Sequence, residues 1–199
     1  MNEKPILFNA EMVNAILSGR KTQTRRIISE KTLHLFDVAA CAGECHPLEL
    51  RDDRSQSYYL EFCPLGKSGD QLWVRETWAR YNIDQTSHDM AYRATTPADW
   101  PKEGLWRPSI HMPRWASRIN LLITGVRVER LRDISQEDAQ AEGMELTGWR
   151  PTYSDPDSGG ECETPYDNFA ELWISIYGEE SWQANPWVWV IDFERMEAK

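Results

Sequence analysis

A strand whose apolar side chains change register near its middle constrains the fold most strongly. Apolar residues occupy odd positions from Ile119 to Ile123 and even positions from Val126 to Val128, and Gly125 lies between the two sets. Successive side chains of a strand point to opposite faces, so both sets can face one core only if one extra residue is inserted. We therefore predict a β-bulge at Gly125, a device that bends strands in small barrels.

Helix and strand signals interleave around this long strand. Capping residues and apolar spacing predict helices over residues 9–19, 135–143 and 166–177, and apolar runs predict further strands over residues 71–78 and 187–193. The strands lack the regular helical crossovers of a parallel sheet. The sequence thus predicts an α+β fold, a small antiparallel β-barrel with flanking helices.

Two segments interrupt the pattern. Residues 30–68 contain scattered His, Cys, Gly, Pro and Asp, and residues 146–166 are rich in Pro, Gly and acids. We interpret both as irregular insertions in a single domain that covers residues 1–199.

Composition places the chain among folded proteins. Apolar residues make up 41% and aromatic residues 11% of the sequence, which is too much for a disordered chain. No apolar run approaches the roughly 20 residues of a membrane span, and the first residues lack the basic stretch and apolar run of a secretory signal. We therefore expect a cytoplasmic protein with no membrane partner.

The net charge of −10 limits the nucleic-acid partners. A protein that coats long stretches of nucleic acid must neutralise many phosphates, which this charge argues against. A small basic cleft that recognises one nucleotide remains compatible with it.

Residues 20–26 are the obvious candidate for such a cleft. The segment holds four cations and two threonines. One interpretation is a solvated strand edge whose charges discourage edge pairing. The other is a phosphate or base cleft, with forked donors from arginine and hydroxyls from threonine. Under the second interpretation we expect the largest positive surface patch to comprise Arg20, Lys21, Arg25 and Arg26.

The chain contains three different short motifs that lie far apart in the sequence. They are Gly19-Arg20-Lys21-Thr22-x-Thr24, Gly69-Asp70-x-Leu72-Trp73-Val74-Arg75-Glu76 and Ile134-Ser135-x-x-Asp138-Ala139-x-x-Glu142-Gly143. Together they resemble the ASCH domain family, whose fold is similar to the PUA RNA-binding barrel. The segment His111-Met112-Pro113-Arg114-Trp115-Ala116-Ser117-Arg118 is typical of a longer, phage-associated branch. The resemblance does not cover residues 30–62 or 146–165.

The resemblance implies a PUA-like barrel that binds RNA or a modified nucleoside. A small bacterial member of the family is an amidohydrolase that removes acyl groups from the exocyclic amine of acylated cytidine. Its lysine, threonine and glutamate carry over onto Lys21, Thr24 and Glu142. Thr24 would be the nucleophile and neutral Lys21 its base, with a pKa lowered by the neighbouring arginines, while Glu142 would protonate the leaving amine or hold the cytosine edge.

Two glutamates compete for the acid role. Glu142 lies in the last turn of a predicted helix, where the helix dipole disfavours an acid, and residues that break such rules are more often functional. Without the resemblance, a solvated glutamate clustered with Glu137 and Asp138 is the better interpretation. Glu76, at the end of an apolar strand, is the second candidate.

The tryptophans also have two interpretations. Trp187 and Trp189 alternate in an apolar strand and are predicted to be core residues. Trp115 follows Arg114 in an irregular stretch, where a base can stack on an indole flanked by cations. The predicted substrate-binding residues are therefore Arg20, Thr22, Arg25, Arg26, Glu76, Arg114 and Trp115.

The cysteines give a weak metal signal. Four side chains at loosely plausible spacing are candidate zinc ligands, but the second paired knuckle of a structural zinc site is missing. We predict free thiols, no metal and no cofactor. The four residues are Cys41, Cys45, His46 and Cys63.

The sequence thus predicts a protein that binds RNA or a modified nucleoside in a cleft between the first helix-strand junction and the helix that carries Glu142. Three functions stay open. The protein hydrolyses acylated cytidine, or it reads RNA or modified DNA without chemistry, or it is a phage accessory protein that acts through an acidic loop at residues 155–163.

Overall fold

A five-stranded mixed sheet forms the centre of the protein. The computed structural model describes residues 2–80, 90–101, 103–144 and 164–197. The strands in this part of the chain are β1 (Glu3–Leu7), β2 (Gln23–Ile27), β3 (Gln71–Arg75), β4 (Trp78–Arg80), β5 (Met90–Tyr92), β6 (Asn120–Arg130) and β7 (Trp187–Arg195). The sheet has the order β1-β3-β6-β7-β2, and β4 pairs separately with β5.

Helices lie on both faces of this sheet, so the predicted α+β class is confirmed. The α-helices among the described residues are α1 (Ala10–Leu17), α2 (Glu30–Cys41), α3 (Asp53–Leu60), α4 (Gln136–Ala141), α5 (Pro165–Tyr177) and α6 (Glu179–Gln183). Short 3₁₀ turns connect several of the elements.

The sheet is open in the described residues. β1 and β2 are its edge strands, and no backbone pairing joins them within this part of the chain. Three of the strand pairs are antiparallel, but β1 runs parallel to β3, with Glu3 opposite Gln71. The expectation of a wholly antiparallel sheet is therefore wrong. The long connection through α1, β2, α2 and α3 provides the crossover that a parallel pair needs.

The predicted bulge in β6 is confirmed. Ile123 lies opposite Phe193 and Gly125 lies opposite Asp192, so Thr124 is the extra residue. The apolar side chains on both sides of the bulge belong to one buried cluster. A side chain at Gly125 would meet the Asp192 carboxylate, because an added Cβ would lie 2.9 Å from Oδ2.

Strand β7 is buried on both faces and separates two apolar clusters. Trp187 and Trp189 pack into the cluster that receives α1, α2 and α3, which confirms their prediction as core residues. Val188 and Val190 pack into the cluster formed with α4, α5 and α6. The sheet is therefore the middle layer between two sets of helices.

The predicted helix starts are also confirmed. The Asn9 side chain accepts a hydrogen bond from the N–H of Met12 at 2.8 Å, and Ser135 accepts one from the N–H of Asp138 at 3.0 Å. Helix α5 covers the third predicted segment, in which the apolar spacing predicts a buried stripe of Phe169, Leu172, Trp173 and Ile176. Phe169 and Trp173 are buried as predicted, but Ile176 is 47% exposed.

Two segment predictions need correction. Residues 30–68 are not irregular, because they form α2 and α3 and place Phe36 and Tyr59 in the main core. The single strand predicted over residues 71–78 is divided at Glu76 and Thr77 into β3 and β4. Most of the predicted loop 146–166, including its acidic residues, lies outside the described residues.

Candidate functional site

Backbone pairing brings Lys21 and Glu142 together from distant parts of the chain. Gly19 turns the chain after α1 with a φ of 79°. Lys21 and Glu142 then form an isolated antiparallel bridge, and the N–H of Thr22 donates to the carbonyl of Ala141 at 2.8 Å. The start of the basic segment is thereby held against the end of α4.

Gly143 allows this close approach. Its φ of +100° lies in the left-handed region that favours glycine. An added Cβ would lie 3.1 Å from the Cβ of Ala15 and 3.3 Å from the Cβ of Lys21. Both the backbone conformation and the limited space therefore favour glycine at this position.

The Lys21 side chain is enclosed and fully hydrogen-bonded. Only 2% of the residue is exposed. Nζ donates to the carbonyls of Gln23 and Glu142 at 2.8 and 2.9 Å and to Glu142 Oε2 at 2.5 Å. These three acceptors use all three donors of an ammonium group. Burial lowers the pKa of Lys21, and the positive charges of Arg25 and Arg26 lower it further. The Glu142 carboxylate acts in the opposite direction and raises this pKa, but the net shift is downward.

Arg25 lies at the centre of what we call the buried charge network. It is 1% exposed, and its guanidinium lies 3.2 Å from Asp138, 3.3 Å from Glu129 and 3.4 Å from Glu142. Arg127 continues the contacts from β6, which lies on the other side of β7 from the strand that carries Arg25. The network comprises Lys21, Arg25, Arg127, Glu129, Asp138, Glu142 and Asp192.

The expected positive surface patch is therefore wrong for Lys21 and Arg25. Both cations are inside the protein, where carboxylates neutralise them. A charge buried without a partner is costly, so the interior supplies acids at contact distance. Arg26 is half-buried and Arg20 is exposed, so only these two reach the surface.

Thr24 points to a different set of partners from Lys21. Its Oγ1 accepts a hydrogen bond from Arg26 Nη1 at 2.7 Å, and the residue is 1% exposed. Both Lys21 and Thr24 are described, and no hydrogen bond joins their side chains. The ring of Phe8 lies between the two sets, 5.6 Å from Lys21 Nζ and 5.3 Å from the Arg26 guanidinium.

An open cavity of about 320 Å³ lies beside this cluster, between α1, the end of α4 and the middle of α5. Its position matches the cleft predicted between the first helix-strand junction and the helix that carries Glu142. The lining mixes charged, amide and apolar groups rather than being basic. It comprises Asn9, Glu11, Met12, Asn14, Ala15, Arg20, Glu142, Gly143, Met144 and Leu172.

Glu142 connects the cavity to the interior. Its Oε2 contacts Lys21 and its Oε1 contacts Arg25, and the residue also lines the cavity while being 5% exposed. Arg20 is held at the cavity by Nε, which donates to Ser18 Oγ at 3.1 Å, and by Nη1, which lies 3.5 Å from the carbonyl of Gly143. The site thus places two carboxylates, those of Glu11 and Glu142, and the guanidinium of Arg20 around an open space.

The remaining predicted binding residues have other surroundings. Glu76 is 1% exposed and receives two hydrogen bonds from Arg118, at 2.8 and 2.9 Å. Arg114 donates to Glu3 at 2.9 Å, and Trp115 is 60% exposed. Thr22 is exposed and uses its backbone, since its carbonyl accepts from the N–H of Phe193 at 2.8 Å. None of these four residues lines the described part of the cavity.

Sequence reasoning missed the acids that surround Arg25. The run Ser135-Gln136-Glu137-Asp138 resembles a capping box, but the Asp138 carboxylate accepts hydrogen bonds from Gln23, Arg25 and Arg127. A signal was present in β6, where Arg127 and Glu129 alternate with the core residues Val126 and Val128. Charged residues at alternating strand positions indicate a solvated face only when nothing covers that face, and here Arg25 contacts Glu129 and Asp138 contacts Arg127.

The candidate zinc ligands do not converge. Cys41 is exposed, whereas Cys63 is buried in the apolar core, where burial raises the pKa of its thiol. The Nε2 of His46 lies near Arg54 and Asp52. In the described ranges, no three His, Cys, Asp or Glu side chains are grouped as a metal ion would need.

Comparison of the chain with protein-family models, with curated proteins and with solved structures finds no match. Among the helices that the structure describes, none has the length and apolar character to cross a membrane.

Proposed function

We propose that this chain is an ASCH-domain protein with a PUA-like fold. The support is that the three resembling motifs are linked by contacts in the fold. Lys21 of the first motif bridges Glu142 of the third, and Gly143 packs against it. The N–H of Phe8, which packs beside Lys21, donates to the carbonyl of Arg75 in the second motif at 3.2 Å.

Barrel-like curvature of the sheet is supported by one side chain. Arg26 of the edge strand β2 donates from Nη2 to the carbonyl of Leu7, at the end of the edge strand β1, at 3.0 Å. The two edges are therefore within reach of one arginine, as they would be in a sheet that curls toward closure.

The cavity binds a nucleoside, free or within RNA. The observation that carries this proposal is that Glu142 lies between a buried cation and an open space of about 320 Å³. Ligand pockets start at roughly 300 Å³. A carboxylate offers about four lone-pair sites, and Lys21 and Arg25 occupy two of them, so acceptors remain for the exocyclic amine of cytosine. Arg20 is placed to contact a ribose or phosphate oxygen.

Hydrolysis of acylated cytidine is the second candidate function. The observation that favours it is the 2.5 Å contact between Lys21 Nζ and Glu142 Oε2. Moving one proton along this contact gives a neutral amine and a carboxylic acid, which are the base and the acid that the reaction needs. Burial and, to a lesser extent, the two arginines lower the pKa of Lys21, which favours its neutral amine.

The reaction would proceed in two steps. Thr24 Oγ1 attacks the acyl carbon and gives its proton to Lys21 Nζ, while the proton on Glu142 passes to the leaving amine nitrogen. Water then cleaves the acyl ester on Thr24. A side-chain rotation must first bring Thr24 Oγ1 to Lys21, and Thr24 is not among the described residues that line the cavity. Binding is therefore the first proposal.

Calorimetric titration with cytidine, cytidine 5′-monophosphate and cytidine acylated at its exocyclic amine tests the binding site. Asn14→Trp narrows the cavity without touching the buried charge network and should abolish binding of all three. Arg20→Ala should weaken binding of the monophosphate more than binding of the nucleoside. Glu137→Gln, an exposed acid on the same helix as the network's Asp138, is the matched control. Unchanged binding by a folded Asn14→Trp variant would place the site elsewhere.

Chromatographic detection of free cytidine separates hydrolysis from binding. Release by the wild type that disappears in Thr24→Ala and Lys21→Met supports catalysis, and because such residues act as a unit the double variant should be little worse than either single one. A wild-type protein that binds the acylated nucleoside for hours without releasing cytidine is a binding module only.

A further inference from the structure

Four side chains form a second surface, which we call the arginine–tryptophan surface: Trp78, Arg80, Arg107 and Trp115. The indoles of Trp78 and Trp115 meet edge to face, with ring centroids 5.7 Å apart and planes at 89°. The Arg80 guanidinium lies 5.5 Å from the Trp115 ring, and that of Arg107 lies 5.4 Å from the Trp78 ring. Two cations thus flank two joined indoles.

Trp78 is the buried base of this surface, and Trp115 is exposed on it. Trp78 is 2% exposed and packs with Met112 and Ala116 in a small apolar cluster. Tyr92 ties down the turn that carries Trp115, because its hydroxyl donates to the carbonyl of Ala116 at 2.9 Å. Trp115 itself remains 60% exposed. Because the fold already holds this indole in place, a base can stack on its exposed face with little further loss of side-chain conformational entropy.

Among the residues that the structure describes, the cations of this surface have no acidic partner. Arg114 and Arg118 pair with Glu3 and Glu76, but no carboxylate of the described residues lies within ion-pair distance of Arg80 or Arg107. Residues 73–118 contain seven Lys or Arg and five Asp or Glu, so they carry +2 while the rest of the chain carries −12. An unpaired guanidinium on such an acidic protein attracts an anion.

We propose that the arginine–tryptophan surface binds single-stranded nucleic acid, with one base stacked on Trp115 and backbone phosphates at Arg80 and Arg107. An acidic peptide would satisfy the arginines but would leave the open indole without a matching group. Bases in a duplex are already stacked on each other, so an unstacked single strand is the form that fits. This surface is separate from the cavity beside Glu142, and the inference does not depend on the function proposed for that cavity.

Fluorescence anisotropy with labelled dT12 and U12 oligonucleotides tests the proposal. Trp115→Leu, which keeps an apolar side chain but removes the aromatic face, should weaken binding about 10-fold, whereas Trp115→Phe should lose much less. Arg80→Ala and Arg107→Ala should each lower the slope of log K against log salt by about 0.7. Arg132→Ala, an exposed cation on another surface, is the control and should change neither quantity.

Three results would overturn the proposal, given variants whose urea midpoints show that they fold. One is equal affinity of Trp115→Leu and wild type. Another is binding of polyglutamate but of neither oligonucleotide, which would identify a protein ligand. The third is loss of oligonucleotide binding in Asn14→Trp, which would place the strand in the cavity. Failure of nucleoside binding at the cavity leaves the expected oligonucleotide results unchanged.

Discussion

Replacing Glu142 by Gln should destabilise the protein strongly, because it leaves the Lys21 ammonium buried without its carboxylate. Removing one partner of a buried ion pair costs about 3–5 kcal/mol. The Lys21 side chain is 1% exposed, but it keeps two carbonyl acceptors and would gain the amide oxygen of glutamine. We therefore expect the lower end of that range, about 3 kcal/mol. With a slope of about 2 kcal/mol/M, the midpoint of urea unfolding falls by about 1.5 M.

The pH dependence identifies Lys21 as the cause of this loss. Burial already lowers its pKa in the folded wild type, and loss of the carboxylate that opposes burial lowers it further. Between the folded and unfolded pKa values the unfolded chain binds more protons, so stability rises with pH. Glu142→Gln should therefore regain stability between pH 7 and pH 10 relative to the wild type.

The double variant Lys21→Met/Glu142→Gln is the matched control. It removes the buried charge together with its partner, so it should recover much of the lost stability and show no gain toward pH 10. Urea unfolding followed by tryptophan fluorescence at several pH values measures all three proteins. A loss below 1 kcal/mol in Glu142→Gln, with no change between pH 7 and pH 10, would refute the buried ion pair.

Three further predictions concern other parts of the fold. Gly143→Ala should lower the thermal midpoint more than Gly178→Ala, because both have positive φ but only the first Cβ meets neighbours, at 3.1 Å. Arg118→Ala should lower the free energy of unfolding, measured in urea, by about 3–5 kcal/mol, because it leaves the buried Glu76 carboxylate unpaired. Arg118→Lys should not restore the bidentate contact. Burial by itself raises the pKa of Asp138, but the hydrogen bond from Gln23 and the positive charges of Arg127 and Arg25 outweigh burial, so the pKa is lowered. Asp138→Asn should therefore flatten the loss of stability that the wild type shows as pH falls below the ordinary aspartate pKa.

Local sequence signals predicted the elements that depend on short-range physics. The shift of the apolar residues from odd to even positions around Gly125 predicted the bulge. Side chains alternate between the two faces of a strand, so both apolar sets face one core only if an extra residue lies between them. The caps at Asn9 and Ser135 were predictable for a similar reason, since each satisfies backbone groups within three residues. Strand β1 was missed because five residues with Pro5 at their centre carry no alternation.

The candidate site was predictable in part. The resemblance named Lys21 and Glu142, and their position at opposite sides of a backbone bridge is consistent with a shared role. That Lys21 and Arg25 are buried was not predictable, because charged residues are usually exposed unless they are paired. Their partners lie more than 100 residues further along the chain, and only the folded arrangement of α4, β2 and β6 identifies them.

The place of β7 between β6 and β2 has a consequence for how the chain folds. Strand β2 finds its backbone partner only after residues 187–195 are made, since Gln23 pairs with Asp192. Pairing across so long a stretch has a large loop-closure cost and slows folding. A chain truncated before Trp187 would lack the strand that both apolar clusters share. During synthesis, Lys21 and Arg25 therefore cannot reach their buried positions until strand β7 has been made.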